Sequence, residues 1–374
     1  MMLMKVLAVM LIADFATREF FFQASLPHLK MIEQNRNDAL NKVFMAISEL
    51  SDKYAYVVII GATYHVFDVP NAFVVTATIY TALGVLSITK SVFHEARPFF
   101  VSDITPTKCW LEYGNPSGHS ITSSALYLTV WDLMCRRFQA DKSQRRISLA
   151  FTLFTCFMIA FSRIYHGVHT YNQILLGWMF GISLYYFFCH VVYNDMIRFC
   201  SQTDRKTCSE LFFNNGTFVF YAIYAIAIFN FLFGNLIHPA PEEWAETINR
   251  NCSKLSGQAY DDPETENFIR FNLASTIAGS YLGLIIEQRY MGTHKYKEFN
   301  KTTPFITMLR VIICTITGSP SLAGLILCPS KGIHWTTKLL FKTVIPISLG
   351  NFYLFGCSKY VALKAGLINT RMVQ

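Results

Sequence analysis

Apolar residues along the chain gather into long blocks separated by short polar loops, and they do not alternate with period two. The blocks lie at 54–67, 72–88, 120–134, 147–164, 174–193, 218–237, 271–286, 304–327 and 339–355. Runs of this kind predict helices surrounded by lipid, because only helices or closed barrels satisfy their backbone polar groups there. Several runs fall short of the roughly 20 residues a crossing needs, so their flanks or neighbouring helices must complete them. The first stops at Asp68 and Pro70 and extends backwards through a periodic stretch at 44–50. The eighth contains Gly318 and Pro320, which predict a break in it. Upstream, MMLMKVLAVMLIADF reads either as a signal peptide, though without a small-x-small cleavage site, or as an amphipathic helix on the membrane surface. The stretch 17–53 is mixed in polarity and predicts extramembrane helix. The expected class is therefore all-α: a polytopic membrane bundle of about nine transmembrane helices. Its predicted organisation is a 1–53 extramembrane region, a 54–195 core and additional helices over 196–374.

Composition narrows the class further. Of 374 residues, 52% are apolar and only 15% charged, against about 25% in soluble domains. With 33 Phe and a mean hydropathy of +0.32, so few charges cannot cover a water-facing surface, and disorder is excluded by the same values. The net charge of +8 does not point to nucleic acid. Lys and Arg concentrate in the loops 135–146, 194–217 and 287–303, whereas loop 238–270 holds seven acids. The positive-inside rule puts the basic loops in the cytoplasm and the loops 89–118, 165–173, 238–270 and 328–338 on the opposite, luminal side. A sequon at Asn251 falls on the luminal side, and sequons at Asn215 and Asn300 fall on the cytoplasmic side. The ten cysteines show neither CxxC nor zinc-ligand spacing, so no metal is expected. Cys109 and Cys252 are both luminal and are a candidate pair.

The candidate chemistry gathers where spans meet that luminal side. Lys90 follows the second span, and after six intervening residues comes Arg97-Pro98. Pro116-Ser117-Gly118-His119 opens the third span, Ser162-Arg163 closes the fourth, and His169 stands six residues beyond Arg163. Three fixed cations beside a membrane suit a compact, multiply charged anion, with Arg supplying forked donors and Lys a point charge. The helix start at Ser117-Gly118 adds free N–H groups. Two histidines allow one to attack phosphorus while the other protonates the leaving oxygen. A lone Lys or Arg at a span end is ordinarily a snorkelling anchor, and His65, His94, His166 and His190 receive a similarly ordinary reading. The ordered combination of three segments does not arise from such roles.

The pattern K-x6-RP, PSGH, SR-x5-H resembles the type 2 phosphatidic acid phosphatase superfamily, which also includes vanadium haloperoxidases, sphingosine-1-phosphate phosphatases, dolichyl diphosphate phosphatases and glucose-6-phosphatases. The motifs cover Lys90 to Gln173, and the surrounding spans extend the likeness over roughly 54–195. The resemblance implies a haloperoxidase-like helical core and a metal-independent, cofactor-free phosphatase. Lys90, Arg97 and Arg163 would bind phosphate, assisted by Ser117 and Gly118. His119 would be the general acid, and His169 the nucleophile that forms a phosphohistidine. With the charge asymmetry of the loops, the expected location is an integral membrane protein of the endoplasmic reticulum, with a luminal site and a cytoplasmic C-terminus.

One position departs from the family pattern. Where the family usually has an acid four residues after the nucleophile, this chain has Gln173, which orients the imidazole without supplying negative charge. Glucose-6-phosphatases and dolichyl diphosphate phosphatases share that glutamine. The run SRIYHGVH is closer to sphingosine-phosphate phosphatases, so a lipid phosphate is favoured, with a sugar phosphate or dolichyl diphosphate as alternatives. A different class, an anion channel or carrier with Asp132 and Arg310 as its intramembrane polar pair, is disfavoured by the two histidines.

Overall fold

The computed structural model describes residues 2–67, 69–256, 263–292, 303–328 and 334–368, and helices account for all the regular structure among them. In chain order they are α1 (Met2–Gln34), α2 (Asp38–Glu49), α3 (Lys53–Val66), α4 (Val69–Phe93), α5 (Pro98–Val101), α6 (Gly118–Arg137), α7 (Lys142–Tyr165) and α8 (Tyr171–Tyr186). They continue with α9 (Tyr193–Ser201), α10 (Cys208–Phe212), α11 (Asn215–Ile237), α12 (Glu242–Ser256), α13 (Pro263–Phe271), α14 (Thr276–Ile286), α15 (Pro304–Leu327), α16 (Trp335–Thr337), α17 (Ile345–Gly356) and α18 (Ser358–Lys364).

Six segments among the described residues are long and apolar enough to cross a membrane: Val69–Val101, Lys142–Tyr165, Tyr171–Val191, Asn215–Gly234, Pro263–Met291 and Leu339–Gly356. The protein is an integral membrane protein, but the expected nine spans are not all of this kind. The run at 54–67 forms α3, whose apolar part Tyr54–Tyr64 is short. The run at 120–134 forms α6, which is rich in Ser and Thr. Its side chains from Ser120 to Leu126 are buried, so this helix meets protein and does not need a lipid-facing surface. The predicted break in 304–327 is absent: α15 runs continuously through Gly318 and Pro320. A single lost N–H bond is tolerated in such a helix when its surroundings re-satisfy the freed carbonyl.

The chain forms two compact units. One comprises 1–52, 81–189 and 221–271, and the other 53–80, 190–220 and 272–374. In the first, α6 packs against α7 and α8, α1 lies on α8, and α2 lies on α7. Gly181 of α8 leaves no space for a side chain, because a Cβ there would strike Ser124 Oγ and Ile121 O of α6. Asp141 caps α7, accepting from Gln144 N at 2.9 Å while Gln144 Oε1 accepts from Asp141 N at 3.0 Å. Ile147, Phe151, Phe154 and Phe157 are exposed at helical spacing along α7, the pattern of a lipid-facing stripe. In the second unit, α14, α15 and α17 pack closely. Gly283 of α14 would place a Cβ 2.6 Å from Phe352 O of α17, so only hydrogen fits there. Phe355 packs edge-on against Tyr64 at 5.3 Å and Phe73 at 6.4 Å.

Asp132 and Arg310, the pair an anion carrier would use, have partners within their own units. Asp132 accepts from Arg136 Nη2 at 2.6 Å, and Arg310 Nε donates to Leu367 O at 3.0 Å. Asn251 is buried, and its Nδ2 donates to Phe99 O at 3.0 Å and Ser102 O at 2.8 Å, so this sequon has no room for a glycan. Asn215 is exposed, while the sequon at Asn300 lies outside the described residues.

Candidate active site

The site lies within the first unit and is assembled by four short stretches. Lys90 ends α4, Arg97 precedes α5, Ser117-Gly118-His119 starts α6, and Arg163 ends α7 with His169 just before α8. Lys90, Arg97, Ser117, Arg163 and His169 are each no more than 1% exposed. Burying three cations so completely is costly unless each meets an anion or a ring of acceptors.

Glu112 provides part of that compensation. Its Oε1 lies 2.6 Å from Arg97 Nη2 and 3.5 Å from Lys90 Nζ, and its Oε2 lies 3.2 Å from Arg270 Nε. Burial opposes ionisation of Glu112, but Arg270, Arg97 and Lys90 hold its carboxyl well below the usual carboxylate range. Arg97 Nε donates to Glu112 O at 2.7 Å, and Lys90 Nζ donates to Tyr113 O at 2.5 Å. Arg163 is held differently. Its Nη1 donates to Ser48 Oγ of α2 at 2.6 Å, and its guanidinium lies 4.1 Å from the Trp110 ring centroid. Three cations thus share one carboxylate and Arg163 pairs with no carboxylate among the described residues, an excess of positive charge that suits a further anion.

Two buried polar atoms strengthen that reading: Ser117 Oγ and Arg163 Nε have no hydrogen-bond partner among the described residues. Ser117 occupies the N-cap of α6, where serine ordinarily accepts from the next turn, yet its hydroxyl makes no cap bond. Its backbone N–H donates to Gln173 O at 2.8 Å, tying the start of α6 to that of α8.

His169 is oriented from both ring nitrogens. Gln173 Nε2 faces only acceptors, Glu95 Oε1 and Ala96 O, both at 2.8 Å. The Gln173 oxygen must then point to His169 Nδ1, 2.9 Å away, and can only accept from it. The imidazole therefore carries its proton on Nδ1 and presents the Nε2 lone pair to Arg97 Nη1 at 3.0 Å. Burial, then the charges of Arg97, Arg163 and Lys90, push the His169 pKa well below its ordinary range, while the Gln173 bond acts in the opposite sense. The ring is thereby held in its neutral form.

His119 is partly exposed, 6.5 Å from the Trp110 ring, and makes no ring hydrogen bond among the described residues. Its backbone oxygen accepts from Ser51 Oγ at 3.3 Å, so the turn that follows α2 supports the start of α6. Of the other histidines, His166 is fully buried with Nδ1 2.6 Å from Thr107 Oγ1, His94 lies against Tyr113 and His238, and His190 is exposed. The His65 side chain lies outside the described residues. Glu112, Arg270, Trp110, Ser48 and Glu95 were not singled out by sequence reasoning, since they occupy no motif position. The only hint was an acid at 112 on the face that carries the basic motifs. Cys109 and Cys252 form a disulfide with Cα atoms 6.1 Å apart, linking the loop that carries Trp110 and Glu112 to α12.

The family model of the PAP2 superfamily matches residues 71–197, which include every motif residue of this site. A membrane phosphatase is the reading this match supports. The chain is also similar to the crystal structure of a transmembrane PAP2-type phosphatidylglycerolphosphate phosphatase from Bacillus subtilis, at 18% identity and a TM-score of 0.45, over 52% of this chain and 96% of that one. No curated protein matches the chain.

Proposed function

We propose that this PAP2 protein hydrolyses a phosphomonoester of a membrane lipid through a phosphohistidine. The observation that carries the proposal is the His169 imidazole, whose Nδ1–H is held by Gln173 at 2.9 Å and whose Nε2 lies 3.0 Å from Arg97. In the first step Nε2 attacks phosphorus in line, and the ester oxygen leaves with a proton from His119. Lys90, Arg97 and Arg163, with Ser117 Oγ and the N–H groups at the start of α6, bind the equatorial oxygens as charge builds on them. In the second step water attacks the phosphohistidine, His119 takes its proton, and His169 is regenerated. Gln173 holds the tautomer through both steps.

A luminal site in the endoplasmic reticulum with a cytoplasmic C-terminus remains part of the proposal. It is supported by the charge asymmetry of the loops and by the Cys109–Cys252 disulfide, which belongs to an oxidising compartment. A lipid substrate is supported by an apolar groove of about 600 Å³ between α1 and α8 that reaches Asn172, three residues beyond His169.

A substrate panel on purified membranes tests the reading. Sphingosine 1-phosphate and phosphatidate should be hydrolysed with vanadate sensitivity and without loss on EDTA treatment. Faster hydrolysis of glucose 6-phosphate or dolichyl diphosphate would overturn the lipid-monoester assignment and leave the chemistry standing. Folded protein inactive on all four, or inhibited by EDTA and insensitive to vanadate, would overturn the mechanism.

A further inference from the structure

We propose that Glu95 is a positioning residue for His169: it orients the Gln173 amide and supplies, one link away, the negative charge that glutamine lacks. Glu95 lies inside the six-residue spacer between Lys90 and Arg97, where motif spacing assigns it no role. Its carboxylate gathers three amides. Oε1 accepts from Asn172 Nδ2 at 2.7 Å and Gln173 Nε2 at 2.8 Å, and Oε2 accepts from Asn115 Nδ2 at 2.8 Å. These amides come from the two segments that carry Ser117 and His169. The Glu95 backbone oxygen also accepts from Gly114 N at 2.8 Å, which fixes the same junction.

A carboxylate is the side chain that can do this work. It only accepts, so it commits the Gln173 amide nitrogen to face it and the amide oxygen to face His169. A neutral amide at position 95 would accept and donate, and Gln173 could then turn over, offering its N–H groups to Nδ1 and selecting the wrong tautomer. The chain His169–Gln173–Glu95 also carries charge. As His169 attacks phosphorus its ring becomes cationic, and a carboxylate behind the amide favours that form. The charges facing His169 are Arg97, Arg163 and Lys90, all of which oppose a cationic ring. Glu95 opens on its other side to a crevice of about 370 Å³ lined also by Arg18 and Glu19 of α1. Arg18 is paired with Asp14 at 2.9 Å.

The role in turnover rests on the phosphatase reading, so the test includes a readout that does not. In full-length protein labelled with 15N-histidine and held in lipid nanodiscs, NMR reports the tautomer and titration of His169. In E95Q the His169 pKa should fall below that of the wild type and the Nδ1–H tautomer should lose its dominance, while E95D keeps both near wild type. In assays, E95Q should lower kcat about tenfold with little change in KM, the size expected for a group that orients a reacting histidine. The acid limb of kcat/KM should move to lower pH, because a ring without its counter-charge sheds its proton more readily. The double variant E95Q/Q173E moves the charge one link inward and should restore the His169 pKa and most of kcat; it also serves if E95Q alone does not fold. An unchanged tautomer and pKa in folded E95Q, or no recovery in E95Q/Q173E, would overturn the role. If the wild type hydrolyses no substrate of the panel, the phosphatase reading fails on that ground alone, and the NMR result still decides for or against the Glu95 chain.

Discussion

Both units bury charged side chains, and they treat them in opposite ways. In the second unit the buried cations are dispersed, and backbone carbonyls accept from two of them. Arg310 Nε donates to Leu367 O at 3.0 Å and Lys342 Nζ to Cys328 O at 3.1 Å. In the first unit Lys90, Arg97 and Arg270 converge on one carboxylate, Glu112, while Ser117 Oγ and Arg163 Nε have no hydrogen-bond partner among the described residues. A cation that ends on a carbonyl stabilises the fold. Cations brought together with unpaired donors create a demand for an anion that the fold does not meet. Convergence of buried charge, more than burial itself, distinguishes the candidate site.

Substitutions that attack this contrast should separate by size. His169→Ala should abolish the trapped phosphoenzyme and cut kcat by about a thousandfold or more, since it removes the attacking atom. His119→Ala should slow phosphoenzyme formation by about 10²–10⁴-fold without moving the site of labelling. Phosphate trapped on another residue would overturn both roles. Arg163→Met should cost about 10²–10³-fold in kcat/KM. Arg310→Met, a comparable loss of buried charge in the second unit, should lower the melting temperature and leave kcat unchanged. Equal loss of activity in the two would erase the distinction between the units.

Two glycines sharpen the comparison at a smaller scale. A Cβ at Gly114 would strike Gln173 Nε2 and lie 2.7 Å from Ala96 O. Gly114→Ala should displace Gln173 and lower kcat roughly tenfold, the scale of a lost orienting contact. Gly283→Ala forces α14 from α17 and should destabilise by about 1–3 kcal/mol with kcat retained. Thermal melts and kinetics on the same preparations check both.

The smallest effect concerns pH. Burial, reinforced by Arg163, lowers the His166 pKa from 6.5 to about 4. Between those values the unfolded chain binds the proton and the folded chain does not. Stability contributed by His166 is thus complete above about pH 6.5 and is lost as pH falls toward 4. His166→Gln should flatten that part of the stability profile, read as the melting temperature across pH 4–7.

Much of this was legible along the chain. Membrane residence followed from apolar runs such as 147–164, because lipid imposes both composition and backbone pairing on a span. The residues Lys90, Arg97, Ser117, Gly118, His119, Arg163, His169 and Gln173 followed from motif spacing. Other features were not legible. A periodicity reading cannot tell that α6, rich in Ser and Thr, is sheltered by α7 and α8. It also cannot tell that Pro320 leaves α15 unbroken, or that Asn251 is turned inward onto Phe99 O and Ser102 O. Each depends on neighbours far away in sequence.

The same division holds at the site. The order and spacing of the motifs marked out the candidate cations and histidines, because the proposed phosphate chemistry restricts the residue types that can serve it. Tertiary structure alone decided how their charges are balanced and how the His169 ring is oriented. Glu112 and Arg270 lie 158 residues apart, Glu95 and Gln173 lie 78 apart, and Ser48 and Arg163 lie 115 apart. Such pairs have no local signature: a carboxylate, an amide or a hydroxyl acquires its role only when folding sets it a few ångströms from a group that needs it.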